Sequence, residues 1–107
     1  MDASDNARYL HVATDGDGDA PTIRAAGELD AGSSPDLLDA VDAAAGPGAV
    51  VSLDLAEVTF IDSSGLRALA ETLRRSAADG FELRIAAASE PVEHLLAMTG
   101  MASLLQP

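Results

Sequence analysis

The sequence predicts an α/β domain with a mixed sheet, and three observations carry that prediction. Short apolar runs of strand length alternate with stretches of helical periodicity, giving the order β-β-α-β-α-β-α over 107 residues. After the first pair, the connections between strands are long enough for crossovers, so those strands run parallel. The first two strands are joined by a turn rich in Gly and Asp, which makes them an antiparallel hairpin. Roughly four to five strands and three to four helices fit this length as one domain over residues 1–107.

Each element has its own warrant. Tyr9 to Ala13 has strand character, Asp15-Gly16-Asp17-Gly18-Asp19 forms the turn, and Thr22 to Leu29 is the second strand. Ser34 is placed to cap the first helix, with Pro35 at its first position and Leu37, Leu38, Val41 and Ala44 or Ala45 as its apolar stripe. Gly46-Pro47-Gly48 stops it. Ala49 to Leu55 is apolar enough for a central strand. Val58-Thr59-Phe60-Ile61 and then Asp62-Ser63-Ser64-Gly65 lead into a second helix, whose inward face reads as Leu66, Leu69, Ala70, Leu73 and Ala77. Gly80 is its C-terminal cap, and Phe81 to Ala87 is the next strand. Ser89, Glu90 and Pro91 start a third helix with Val92, Leu95, Leu96 and Met98 inward, ending at Thr99-Gly100. Met101 to Pro107 add a short helix or strand that packs a Leu pair.

Composition narrows the functional classes. The chain is 48% hydrophobic, with 22 alanines and three aromatics, so it has one aliphatic core and is not a disordered tail. Eighteen acidic residues face six basic ones, all arginine, for a net charge of −12. That balance repels phosphate backbones and anionic lipid, so neither nucleic acid nor a membrane is an expected partner, whereas a basic protein face would be steered in. There is no cysteine, hence no disulfide, thiolate metal site or thiol nucleophile. Met1-Asp2-Ala3-Ser4-Asp5 lacks the basic start of a signal peptide, and no stretch has the ~18 apolar residues of a membrane span. The expectation is a soluble, cytoplasmic protein.

The acidic turn invites a calcium reading. An EF-hand loop counted from Asp15 needs Gly at the sixth place and Glu at the twelfth, but Ala20 and Ala26 stand there and Pro21 follows Ala20. It reads as a solvated hairpin tip. Ser63, Ser64, His11 and His94 supply the materials of a serine hydrolase, yet the Gly-x-Ser-x-Gly elbow fails at its first Gly, where Ile61 precedes Ser63 and Asp62 precedes Ser64. Two histidines without ligand-like spacing make no metal site, and no Gly-rich phosphate loop is present. Neither a metal nor a cofactor is expected.

Phe60 to Leu66 is the informative stretch. A buried strand ends, and Asp62 or Ser63 can cap the helix that follows. The result is an exposed hydroxyl at a helix N-terminus, at the C-terminal edge of a parallel strand, where α/β sheets place functional groups. A phosphate is chemically tolerable there, facing the helix dipole and its free N–H groups.

At these residues the chain resembles the STAS domains, specifically the bacterial anti-sigma factor antagonists. Gly27-Glu28-Leu29-Asp30 looks like the family's second-strand signature, and Val51 to Leu55 with Val58 to Leu66 looks like its central strand and phosphorylation loop. Met98-Thr99-Gly100-Met101 resembles the ending of its third helix. The resemblance implies the STAS fold and a partner switch. An antagonist binds an anti-sigma factor that is also a serine kinase, freeing a sigma factor. The kinase phosphorylates a serine of the Asp-Ser-Ser-Gly loop, the complex separates, and a serine phosphatase resets it. By position the acceptor is Ser63, with Ser64 as second choice. Asp30, Ser33, Asp62, Ser63, Ser64 and Gly65 are carried over as the partner-facing surface, Ser33 standing where the family commonly has Thr. Such a protein regulates transcription by protein binding and has no catalytic activity of its own. The alternatives are a STAS scaffold or transport-complex subunit that is never phosphorylated, and a small serine hydrolase using Ser63.

Overall fold

A four-stranded sheet in the order β1-β2-β3-β4 organises the chain. The computed structural model describes residues 10–16 and 19–101. The elements are β1 (Leu10–Asp15), β2 (Thr22–Leu29), α1 (Ser34–Ala44), β3 (Val50–Ile61), α2 (Ser63–Asp79), β4 (Glu82–Ala88) and α3 (Glu90–Met98). β1 and β2 form the antiparallel hairpin, with Leu10 opposite Gly27 and Asp15 opposite Thr22. β2, β3 and β4 are parallel. Among the described residues the sheet therefore has four strands and the domain three helices, in the element order read from the sequence.

Odd-numbered positions make the buried face: Ile23, Ala25 and Leu29 on β2, Val51, Leu53 and Leu55 on β3, and Leu83 and Ile85 on β4. Because β2, β3 and β4 follow one another in space as in sequence, right-handed crossovers place α1 and α2 over the same face. Leu37 and Val41 of α1, Leu69 of α2, and Val92 and Leu96 of α3 join those strand residues in one continuous core cluster. The even-numbered side carries polar groups, including Arg24, which pairs with Asp15 at 2.9 Å and with Asp54 at 3.5 Å.

The structure corrects several expectations. The two segments Ala49–Leu55 and Val58–Ile61 are one strand, β3, with irregular register against β2. An extra β3 residue between the partners of Arg24 and Ala26 keeps Val58 on the buried face with Leu55, although their spacing breaks strict alternation. Phe60, placed at the end of a buried strand by its apolar neighbours, is 45% exposed. α1 begins at Ser34, so Ser33 is the cap position and Pro35 the second helical residue. Ser34 does not cap the helix; its hydroxyl instead donates back to Asp30 O. Leu38 is only half-buried.

The largest correction concerns α2. Its buried residues are Gly65, Ala68, Leu69, Thr72 and Ser76, while Ala70, Leu73 and Ala77 are exposed. The buried set keeps helical spacing but is small and partly polar, so a count of large apolar residues points to the wrong face. The two hydroxyls are satisfied within the helix, Thr72 donating to Leu69 O and Ser76 to Leu73 O. On α3, Met98 is 69% exposed rather than inward. β1 runs on to Asp15 and β4 starts one residue late. Tyr9, Asp17, Gly18 and the element expected after Met101 lie outside the described residues.

Candidate functional site

Two adjacent parallel strands end together, with Leu29 of β2 opposite Ile61 of β3. The loop after each strand opens a helix, so the starts of α1 and α2 share one edge of the domain. A backbone bond from Asp62 N–H to Leu29 O, at 3.4 Å, ties the two ends.

Asp62 is the N-cap of α2. Its backbone is extended, and Oδ1 accepts from the N–H groups of Ser64 at 2.9 Å and Gly65 at 3.0 Å. Those are donors that the helix itself leaves unpaired. Ser63 follows as the first helical residue and is exposed, whereas Ser64 is half-buried. We expect Asp62→Ala to lower stability by about 1 kcal/mol, and Asp62→Asn, which keeps the accepting oxygen, to retain most of it. Urea melts of both variants check this; equal loss in both would show that charge, not capping, is what Asp62 supplies.

Asp30 and Ser33 form a second closed motif. Asp30 Oδ1 accepts from Gly32 N–H at 3.0 Å and Ser33 N–H at 3.1 Å. The Ser33 hydroxyl donates to Glu28 O at 2.7 Å and accepts from Asp30 N–H at 3.0 Å. Ser33 is 5% exposed, so it shapes this loop and leaves Asp30 at the surface edge. Gly65 is buried. A Cβ there would clash with the Leu29 backbone oxygen and lie 2.8 Å from Ile61 Cγ1. The six residues carried over from the resemblance thus gather at one edge, with Ser63 outermost and Ser33 and Gly65 beneath.

Beside them runs an open groove of about 350 Å³ between α1 and α2, lined by Ala31, Ser34, Pro35 and Leu38 on one side and Ser64, Arg67 and Glu71 on the other. Sequence reasoning missed the groove and missed Arg67, which stands four residues after Ser63. That spacing was the available signal. Glu71 is held by Arg74 and Arg75, whose hydrogen bonds bring its carboxyl down to about 2 from an ordinary 4.5. Arg75 also reaches across to Asp42 of α1 at 2.7 Å. His11 is exposed on β1 and His94 is exposed on α3. Among the described residues no group of three His, Asp or Glu side chains could hold a metal ion, and no helix is long and apolar enough to cross a membrane.

The sheet is covered on one face and presents, at one edge, a capped and exposed serine beside a second strand-end loop. The family model described as "Mlab, STAS domain" matches residues 12–106, and the chain belongs to this STAS-domain family. Among solved structures it is similar to an anti-sigma factor antagonist from Mycobacterium paratuberculosis, at 25% identity over 92% of this chain and 86% of that one, with a TM-score of 0.73. It has the fold of the anti-sigma factor antagonist SpoIIAA in its unphosphorylated form, at 17% identity over 90% of this chain and 86% of that one, TM-score 0.71. The phosphorylated form of SpoIIAA, a Bacillus cell fate determinant, matches at 16% identity over 90% and 89%, TM-score 0.67. No curated protein matches the chain.

Proposed function

We propose that this domain is an anti-sigma factor antagonist. It binds an anti-sigma factor that is also a serine kinase, frees a sigma factor, and is switched off when that kinase phosphorylates Ser63. A serine phosphatase restores it. The observation that carries this reading is the placement of Ser63: exposed, first in α2, and flanked by the fixed carboxylate of Asp62. Its hydroxyl is open to a kinase, while the half-buried Ser64 is less so, which supports Ser63 as the acceptor. Asp30 and the Ser33 loop beneath it complete the partner surface, and the half-exposed Phe60 adds apolar area two residues before Asp62.

The test is incubation with ATP, magnesium and candidate anti-sigma kinases, read by mass spectrometry. We expect one phosphate on the wild type, none on Ser63→Ala, and Ser63→Ala to bind the kinase nearly as the wild type does, because the hydroxyl is the acceptor and not an anchor. Stoichiometric modification of Ser63→Ala would move the acceptor to Ser64 or elsewhere. The second reading is a STAS scaffold or transport-complex subunit that docks through the same edge and is never phosphorylated. What favours it is that the matching family model bears the name Mlab and not that of an antagonist. A partner that binds this edge without ever labelling it would select that reading.

A further inference from the structure

We propose that Arg67 is the intramolecular counter-ion of a phosphate on Ser63, a step that rests on Ser63 being the modified residue. The inference begins with what the cap leaves over. A phosphate at a helix start ordinarily meets free backbone N–H groups. Here Asp62 Oδ1 already takes those of Ser64 and Gly65, and Leu66 N–H bonds Asp62 O at 2.9 Å. A phosphate on Ser63 therefore gains few backbone donors and sits next to a carboxylate. It needs a cation.

One cation is in place. Residues four apart on a helix are neighbours, with Cβ atoms roughly 5–6 Å apart, and Arg67 is four after Ser63 on α2. Both are exposed. Arg24, Arg74, Arg75 and Arg84 each have a carboxylate within 4 Å, and among the described residues Arg67 has none. Among the five described arginines of this acidic chain, Arg67 alone is without a described carboxylate partner. The carboxylate that helical spacing offers it is Glu71, the other charged group lining the groove, and Glu71 is already bridged by Arg74 and Arg75. Arg67 is thus charged, close and uncommitted, and its forked guanidinium suits a phosphate.

The consequence is a second effect of modification. Arg67 lines the groove in the unmodified protein. Drawn to the phosphate, it leaves Ala31, Pro35 and Leu38 with one polar neighbour fewer, so the switch alters the groove as well as the charge.

The test uses the full chain with phosphoserine installed at position 63 by codon reassignment, so it needs neither kinase nor partner. The second ionisation of the phosphate, ordinarily near ~6, is followed by phosphorus NMR in the wild-type, Arg67→Gln, Arg67→Lys and Arg74→Gln backgrounds. A nearby cation favours the dianion, so Arg67→Gln should raise this pKa by about 0.2–0.4 unit, with Arg67→Lys falling between. Asp62, Asp30 and Glu71 remain as the neighbouring carboxylates in every variant. Arg74→Gln removes the same charge from a residue already paired with Glu71 and should leave the phosphate nearly unmoved. If Arg67→Gln has no effect, or Arg74→Gln shifts the phosphate as much, no Ser63–Arg67 pair exists. Either result leaves the antagonist reading to its own kinase assay.

Discussion

Gly65→Ala should destabilise the domain by about 1–3 kcal/mol, even though alanine normally strengthens a helix interior by ~1 kcal/mol over glycine. The reason is contact, not backbone conformation. The added methyl would clash with the Leu29 carbonyl oxygen and press on Ile61 Cγ1 at 2.8 Å, and the first of these is backbone that cannot rotate aside. Relief requires moving the start of α2 away from the end of β2, which would also displace Ser63 and the Asp62 cap. At ~4–8 °C per kcal/mol for a domain near this size, the loss is readily seen in a thermal melt. Gly46→Ala is the control, since a Cβ there meets nothing within 4 Å, and it should stay within ~0.5 kcal/mol of wild type. A Gly65→Ala protein as stable as Gly46→Ala would mean that α2 does not sit this close to β2.

The same close approach explains which parts of the fold could be read ahead of the structure. Short apolar runs and turn chemistry specified the strands, and Ile23, Leu53 and Ile85 within those runs are all buried in the sheet. α2 was legible as a helix but not in its facing. Gly65, Ala68, Thr72 and Ser76 are buried because they are small enough to let the helix down onto the sheet, and the value of smallness depends on a neighbour that a sequence does not display. The union of two segments into β3 was hidden for a similar reason: an extra residue at Ala56–Glu57 breaks the alternation that holds Val58 inward. At the site, Asp62 and Ser63 were readable as a cap and an exposed hydroxyl, whereas Asp30 and Ser33 entered through the family resemblance. The groove and the isolation of Arg67 were not readable, since Glu71 had three arginines within helical reach and only the folded chain shows that it binds Arg74 and Arg75.

Phosphate on Ser63 should weaken binding to the cognate anti-sigma factor by roughly 2–5 kcal/mol, or ~30-fold to several thousand-fold, while leaving the free protein folded. The two halves follow from where Ser63 stands. It is exposed on the first turn of α2, so about −1.5 to −2 of added charge remains in water in the free domain, beside a helix start that favours anions. Circular dichroism and the melting temperature should change little. In the proposed complex, the same group would have to enter an interface formed around a neutral hydroxyl. It arrives next to Asp62 on a chain that is already at −12, and burying a dianion that one arginine compensates only in part is costly. Ser63→Asp carries less charge and a shorter reach, so it should reproduce the loss in weaker form. Arg67 offsets part of the charge but adds its own bulk to the edge. It should therefore spare the fold of the phosphoprotein without rescuing its affinity. The decisive measurement is calorimetric affinity for the anti-sigma factor with Ser63, Ser63→Asp and phosphoserine at that position, alongside dichroism on each. Equal affinity in all three, or gross unfolding of the phosphoprotein, would exclude an electrostatic switch at this serine.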